Sequence, residues 1–571
     1  MTTKTCTGVA LLTLLSLTAC EHSSDGGESV RQTEPVEAPV MAVANDAESQ
    51  IDTDDLLKYI KQLSSDEFEG RLPGTPGGEK TVAYLVEQFK RLGLAPGNPD
   101  GSYTQAVPLV GITGQPTMQF TVGDQPIEMQ RGSDFVATTA QFTDEVAIEK
   151  VPLVFVGYGV QAPEYDWNDY KGIDPKGKAL VMLINDPPVR GEDGELDSEV
   201  FGGQAMTYYG RWTYKYDIAS KLGAAAVIIV HETEPASYPW SVVEHSWTGE
   251  QFELAASNKN MDRVPVQGWI TLDRAHELFS AAGQDFDALK KQAVSRDFKP
   301  VPLDSATVTA RIDNTVREVD SQNVIARIEG SDATLKNQYV VYSGHWDHLG
   351  RNPDLEGDQI FNGAVDNASG TAGLLEIAQA YKALPQAPKR SILFLAVTAE
   401  EQGLLGSKHY AQNPLYPVAD TVAMLNMDAM NPFGATRDVQ IIGYGQNTLE
   451  DIAEEIAASH GREIVPDTAP EKGFYYRSDQ FEFAKVGIPA LYADGGVDVI
   501  GKPKGYGEQK MKEYTANDYH SVSDEVKPDW DLSGMVADQQ LLFEIGQRVA
   551  DSEDIPTWKE GSEFKAVREG Q

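Results

Sequence analysis

Between residues 321 and 496 strand-length apolar runs recur: NVIARIEG (323–330), YVVYSGHWD (339–347), SILFLAVTAEE (391–401), VAMLNMDAM (422–430) and IPALYADGG (488–496). No other feature restricts the fold so tightly. Runs of that length without polar alternation are strands covered on both faces, the signature of a parallel sheet between helices. Helical segments such as SGTAGLLEIAQAYKAL (369–384) separate several of them. The pattern predicts an α/β fold with a mixed, mostly parallel sheet sandwiched by helices.

Upstream, residues 52–64 and 76–92 carry apolar residues at helical spacing, the second segment opened by Pro76 and closed by Gly93. Short strand-like pieces follow at 103–110 and 117–123, then a stretch punctuated by Gly and Pro that runs to about residue 305. It contains apolar runs at 151–159 and 178–186 and a helix, Gly turn and strand over 217–232, which reads as a separate β-rich module. A chain of 571 residues is long for one domain. The expected division is 51–125 and 306–555 as two parts of one domain, 126–305 inserted between them, and 556–571 as a C-terminal tail.

Residues 1–19 hold one cation, Lys4, and an apolar run from Val9 to Leu17 that is too short to span a bilayer, so they read as an export signal. The signal ends Leu17-Thr18-Ala19-Cys20, which is similar to a bacterial lipoprotein box and makes Cys20 the expected lipidation site. Residues 20–50 have the composition of a flexible tether. The other cysteine, Cys6, lies within the signal, so the mature chain has no disulfide. Glu21 rather than aspartate after Cys20 favours outer-membrane placement. A net charge of −40 excludes nucleic acid as a partner and leaves the lipid on Cys20 as the expected membrane contact.

In open α/β sheets the working groups gather at the carboxyl ends of strands. Here those positions carry His345, Trp346, Asp347 and His348, then Asp366 and Asn367 after a Gly-rich turn, then Glu400 and Glu401, then Asp428, with His520 in the loop NDYHSVSDE. Each alone is ordinary. Together, buried carboxylates and imidazoles at neighbouring strand ends repel one another or stay undersatisfied unless cations neutralise them. Two His with carboxylates suit zinc, with Mn or Co tolerated. Two ions sharing one carboxylate is the economical arrangement, and it is the arrangement of two-metal hydrolases. One of Glu400 and Glu401 then binds metal while its neighbour handles protons.

The runs GHWDHLG, GAVDNASGTAGLLEIA, TAEEQGLLGS, NMDAM and YHSVSDE, in that order, resemble the co-catalytic zinc aminopeptidases of metallopeptidase family 28, in the MH clan. The resemblance extends to 67–94, similar to the family's N-terminal segment, and to 126–305, where DYKGIDPKGKALVML (169–183) resembles an inserted protease-associated domain. It implies the zinc-dependent exopeptidase fold and two Zn2+ per chain. Asp366 would bridge the ions, Glu401 and His520 would complete one site, and His345 and Asp428 the other. Glu400 would be the general base, and Asp347 would accept a hydrogen bond from His345. A cis peptide is expected at Asp366-Asn367, with Asn367 beside the ligands. YYRSDQFEFAKVGIPAL (475–491) resembles the family's pocket loop and implies substrate contacts from Tyr475, Tyr476 and Asp479. Gln480 departs from the His or Tyr often found there.

The expected activity is removal of the N-terminal residue from peptides. A carboxypeptidase or dipeptidase on the same site is the alternative, with Arg477 as the cation that would meet a substrate carboxylate. A glutaminyl cyclase uses one zinc and fits five ligands poorly. A non-catalytic binding protein with this fold would not need Glu400.

Overall fold

The computed structural model describes residues 47–191 and 193–570, so the leader, Cys20 and almost all of the tether lie outside the described residues. The elements that position the site are, in chain order, α1 (Thr53–Leu63), α2 (Pro76–Arg91), β1 (Thr104–Val122), β2 (Phe135–Thr138), β3 (Glu145–Phe155), β4 (Ala179–Leu183), α3 (Trp212–Leu222), β5 (Ala226–Val230), α4 (Trp240–Thr248) and β6 (Val266–Ile270). They continue with β7 (Val301–Ile328), β8 (Tyr339–His345), α5 (Gly370–Ala383), β9 (Ser391–Val397), α6 (Leu405–Gln412), β10 (Thr421–Asn426), β11 (Asp438–Ile442), β12 (Glu463–Pro466), α7 (Gln480–Lys485), β13 (Ala490–Gly495) and α8 (Ser533–Asp551).

One large sheet runs β12-β11-β13-β10-β8-β9-β7-β3-β4-β5-β6-β2, with β1 paired to β7. Four of the five apolar runs form its parallel centre, β8 flanked by β9 and β10 and β10 by β13, whereas the run at 323–330 ends β7 and pairs antiparallel with β9. A second parallel set, β3-β4-β5-β6, lies beyond β7. The sheet is mixed and mostly parallel, as the patterning predicts. Every residue of β8, β9 and β10 is buried. The side chain of Asp52 caps α1 by accepting from Asp54 and Asp55 N–H, and Thr75 caps α2 with Pro76 at its first turn.

The apolar interior is divided. One core draws on residues 118–312, the other on 47–94 and 324–550. The long antiparallel pair β1 and β7 runs through both regions. The pieces read separately at 103–110 and 117–123 are therefore one strand. Ladder pairing with β7 carries the chain straight through Gly111, where a Cβ would meet Glu250 Oε1 at 2.2 Å.

Both ends expected to be loose are docked where they are described. Ala47 and Ile51 are each 2% exposed, so packing starts before residue 50. In the segment read as a tail, Trp558 and Phe564 are buried against Tyr475 and Phe481, and Trp558 Nε1 donates to Gly487 O at 2.8 Å. Two large aromatic anchors outweigh the polar composition around them. Among the described residues no helix is long and apolar enough to cross a membrane.

Candidate metal centre

Strand register decides which side chains meet. β8 pairs His345 with Val397 of β9 and Ser343 with Asn426 of β10, so the three strands end level with one another. The residues that follow those ends, Glu400, Glu401 and Asp428, therefore reach the same edge as His345. Asp366 arrives from the turn before α5, entered through Gly363 at φ 55, where a Cβ would lie 2.3 Å from Asp366 O. The Asp366-Asn367 peptide is cis, as the resemblance implies. Asn367 is buried and pinned: its amide donates to Met427 O at 3.0 Å and its carbonyl oxygen accepts from Gly370 N at 2.8 Å.

His345 Nε2 stands 3.2 Å from Asp428 Oδ1, 3.3 Å from Asp366 Oδ1 and 3.8 Å from Glu400 Oε2. His520 Nε2 stands 2.9 Å from Glu401 Oε2 and 3.3 Å from Asp366 Oδ2. The two carboxylate oxygens of Asp366 thus face the two histidines separately. The five expected ligands converge, and Asp366 lies between the pairs His345/Asp428 and Glu401/His520.

A metal fits these groups. His520 Nε2 is buried, close to two carboxylates, and makes no hydrogen bond with either. His345, Asp366 and Asp428 each offer a ligand atom, and these atoms lie within 4.8 Å of one another, a spacing that one ion can span. Among the described residues no lysine or arginine forms an ion pair with Asp366, Glu400, Glu401 or Asp428. Burial pushes the Glu400 carboxyl well above the ordinary carboxylate range, the charges of Asp428 and Glu401 add to this, and His345 opposes it. Burial works against a charged His520, yet Glu401 and Asp366 outweigh it and raise the imidazole to about 10. Concentrated negative charge of this kind is what divalent cations offset.

Asp347 requires a correction. Its carboxylate was expected to accept from His345, but His345 Nδ1 lies 3.2 Å from the Asp347 backbone carbonyl and 3.9 Å from Oδ1. Oδ1 instead accepts the Glu400 N–H at 3.1 Å. With only Trp346 between them, the backbone carbonyl of Asp347 reaches the imidazole before its side chain does. Asp347 therefore fixes the backbone of Glu400 as well as the ring of His345.

Three supports complete the site: His348, named at the strand end without a role, and Asp524 and Arg71, which were not singled out in the sequence. His348, fully buried, donates from Nδ1 to Glu401 Oε1 at 2.5 Å and leaves Oε2 for the centre. Asp524 accepts from Val365 N at 3.0 Å and Asp366 N at 3.1 Å, tying the His520 loop to the Asp366 turn. Arg71, 1% exposed, donates to the carbonyls of Leu63, Trp346, Asn362 and Gly363 and so clamps the turns beneath the ligands. Arg71 lies in the 67–94 segment that carried part of the resemblance, which is the one signal that could have found it.

Two clefts meet at Glu400 and Glu401. One is walled by Val365, Pro432, Phe433, Phe474, Met511 and Tyr514 beside Asp366 and Asp428. The other opens between α4 and the 474–482 segment and is lined by Tyr476, Arg477, Trp212, Arg211 and His520. Tyr476 is thus at the expected surface. Tyr475 and Asp479 are not: Tyr475 packs its ring among Phe481, Tyr476 and Phe564, and Asp479 is fully buried, accepting from Ser407 Oγ at 2.6 Å. The short helical turn Phe474–Tyr476 sends neighbouring side chains to opposite sides. Tyr492 was missed; it lines the apolar cleft and donates its hydroxyl to Asp428 O at 3.1 Å.

Residues 323–543 match the model of peptidase family M28. A probable leucine aminopeptidase 2 of Aspergillus fumigatus is 30% identical over 465 residues, covering 78% of this chain and 73% of that protein. A probable zinc metalloprotease of Pyrenophora teres f. teres is 39% identical over 111 residues, but that stretch covers only 19% of this chain and 23% of the relative. The aminopeptidase of Aneurinibacillus sp. strain AM-1 has the same fold, with a TM-score of 0.51 at 20% identity over 90% of this chain and 97% of that one. With its ligand-bearing strands inside the matched region and a long alignment to the Aspergillus protein, the chain belongs to peptidase family M28.

Proposed function

We propose that the protein is a zinc aminopeptidase that releases the N-terminal residue of peptides with two ions, one held by His345, Asp366 and Asp428 and the other by Asp366, Glu401 and His520. The observation that carries this reading is the position of Asp366, with one oxygen 3.3 Å from each of the two histidine Nε2 atoms. Zinc bound there would supply a Lewis acid that polarises the scissile carbonyl and acidifies water.

The chain's own residues account for the rest. Glu400 borders both clefts and its backbone is held by Asp347, so its carboxylate can take a proton from the attacking water and return it to the leaving nitrogen. His348, Asp347 and Asp524 hold the ligands in place, which lowers the cost of assembling the site. The apolar cleft would take the side chain of the N-terminal residue, in keeping with the leucine in the name of the Aspergillus relative.

The same reading places the mature chain outside the cytoplasm, anchored by a lipid on Cys20 and facing peptides rather than nucleic acid. Its support is the apolar run Val9–Leu17 followed by Leu-Thr-Ala-Cys, and the net charge of −40. Residues 126–305, with an apolar core of their own, would be the protease-associated insertion. Incorporation of labelled palmitate that survives Cys20→Ser would remove the anchor from the proposal.

Metal analysis paired with turnover tests the main claim. The expected result is two zinc ions per chain, loss of Leu-p-nitroanilide hydrolysis on chelation, and its return with zinc. N-acetylated substrate should resist cleavage; equal cleavage of blocked and free substrate would end the aminopeptidase reading.

A further inference from the structure

We propose that the cleft between α4 and residues 474–482 is an anion site in which Arg211 and Arg477 hold a carboxylate just downstream of the scissile bond. This rests on the aminopeptidase reading and narrows its substrates to short peptides ending near the metal centre, or to peptides with an acidic second residue.

The inference starts from an imbalance. Among the described residues, buried guanidinium nitrogens without a hydrogen-bond partner occur only on Arg211, Arg327, Arg462 and Arg477, and Arg211 and Arg477 line the same cleft. Two other cations of this cleft are neutralised: Arg263 by Asp217 at 2.5 Å and Lys485 by Glu482 at 2.8 Å. Among the described residues neither Arg211 nor Arg477 has a carboxylate partner. Arg211 is only 9% exposed, and its Nε has no hydrogen-bond partner. Arg477 Nη2 donates to Ala236 O at 3.0 Å, its Nε is also unpartnered, and its guanidinium lies 5.4 Å from the Tyr238 ring and 5.3 Å from that of Phe474.

Burying a guanidinium without an acceptor is costly, and placing a second one nearby adds repulsion. Burial, and after it the charge of Arg477, pulls Arg211 down to about 10, which leaves it charged at neutral pH. A carboxylate relieves both costs, because its two oxygens match the fork of a guanidinium. The position selects the ligand. Glu400, Glu401 and Arg477 border both clefts, whereas Arg211 lines only this one; with the N-terminal side chain in the apolar cleft, the departing part of the peptide runs past Arg477 towards Arg211. Two aromatic rings lie within 5.4 Å of the Arg477 guanidinium and help fix it in advance of the ligand.

The carboxylate can be the terminal one of a dipeptide or the side chain of an acidic second residue, and three substrates separate these sources. Zinc-loaded enzyme would be assayed on Leu-Gly, Leu-Gly-amide and Leu-Glu-amide. Leu-Gly should exceed Leu-Gly-amide in kcat/KM by about tenfold or more, mainly through KM, and a raised Leu-Glu-amide would point to the side-chain source. In Arg211→Met and Arg477→Met the preference should fall towards parity, and Arg211→Lys should keep part of it. Equal rates for all three substrates in the unaltered enzyme, or a preference that survives both methionine substitutions, would overturn the anion site. Calorimetric binding of Leu-Gly and Leu-Gly-amide to the zinc-loaded Glu400→Gln protein makes the test independent of turnover. Tighter Leu-Gly there, with no cleavage of any substrate by the unaltered enzyme, would keep the anion site and remove the aminopeptidase reading instead.

Discussion

Ser246 Oγ lies 2.9 Å from Nδ1 of His520, joining residues 274 positions apart, and His245 Nδ1 lies 2.9 Å from the His520 backbone carbonyl. Helix α4, whose Val242 and Val243 pack in the 118–312 core, therefore grips a ligand loop of the other half of the chain. With a metal ion at Nε2, beside Glu401 and Asp366, the ring proton would sit on Nδ1 and be donated to Ser246 Oγ. As acceptor of that proton the serine would hold the ring in the tautomer that presents a lone pair to the metal.

Replacing Ser246 with alanine should weaken zinc binding by about 10- to 100-fold, the usual effect of losing such an outer partner. Competition with a chelating dye measures this directly. Ser246→Thr, which keeps the hydroxyl, should restore most of the affinity. An unchanged zinc affinity in Ser246→Ala would mean that the contact does not orient the ligand.

Glu400→Gln should retain both metal ions and lose about 10²- to 10⁴-fold in kcat, because the amide cannot take up the proton of the attacking water. Glu400 Oε2 lies 3.8 Å from His345 Nε2, farther than the oxygens of Asp366 and Asp428 at 3.3 and 3.2 Å, which fits a proton carrier beside the proposed ligands. Metal content measured beside kcat separates the roles. A variant that loses zinc along with activity would make Glu400 a ligand.

Four of the candidate site residues were legible because each follows an apolar run within a few residues, and strand order turns that one-dimensional regularity into a shared edge. His345, Glu400, Glu401 and Asp428 are of this kind. Ser246 and Arg211 carry no such mark; they reach the site only because the 118–312 region packs against the catalytic half, and no local spacing encodes that approach. Tyr475 and Tyr476 show a different limit. They are neighbours of the same type, and only the sense of one helical turn decides which faces the cleft. Trp558 and Phe564 are too far apart to form a period, so a docked segment reads as a polar tail.

Arg71→Met should destabilise the protein by more than about 3 kcal/mol. The substitution leaves the carbonyls of Leu63, Trp346, Asn362 and Gly363 without their donor, and each buried unsatisfied polar group costs about 1–3 kcal/mol. Trp346 directly follows the proposed ligand His345, and Gly363 enters the Asp366 turn, so zinc affinity should fall as well. Thermal unfolding with and without added zinc reports both effects. A variant with unchanged melting temperature would show that water replaces the guanidinium.

Glu376 on α5 gives a stability change with pH that does not involve the metal ligands. Its Oε2 accepts the Asp52 N–H at 3.1 Å, while Oε1 is buried without a partner. Burial, with Asp52 and Asp55 adding, raises its pKa from 4.5 to about 8. A carboxyl raised on folding holds its proton in the native state while the unfolded chain has released it. Between pH 4.5 and 8 the native state therefore binds more protons, and stability falls as pH rises through that window. Below pH 4.5 both states are protonated and the penalty disappears. Glu376→Gln cannot ionise, so its melting temperature should exceed that of the unaltered protein by a margin that widens from pH 5 to pH 8 and then levels. Scans at fixed zinc across that range isolate the effect, since metal binding is common to both proteins. A margin independent of pH would mean that Glu376 ionises in the folded protein as readily as in the unfolded one.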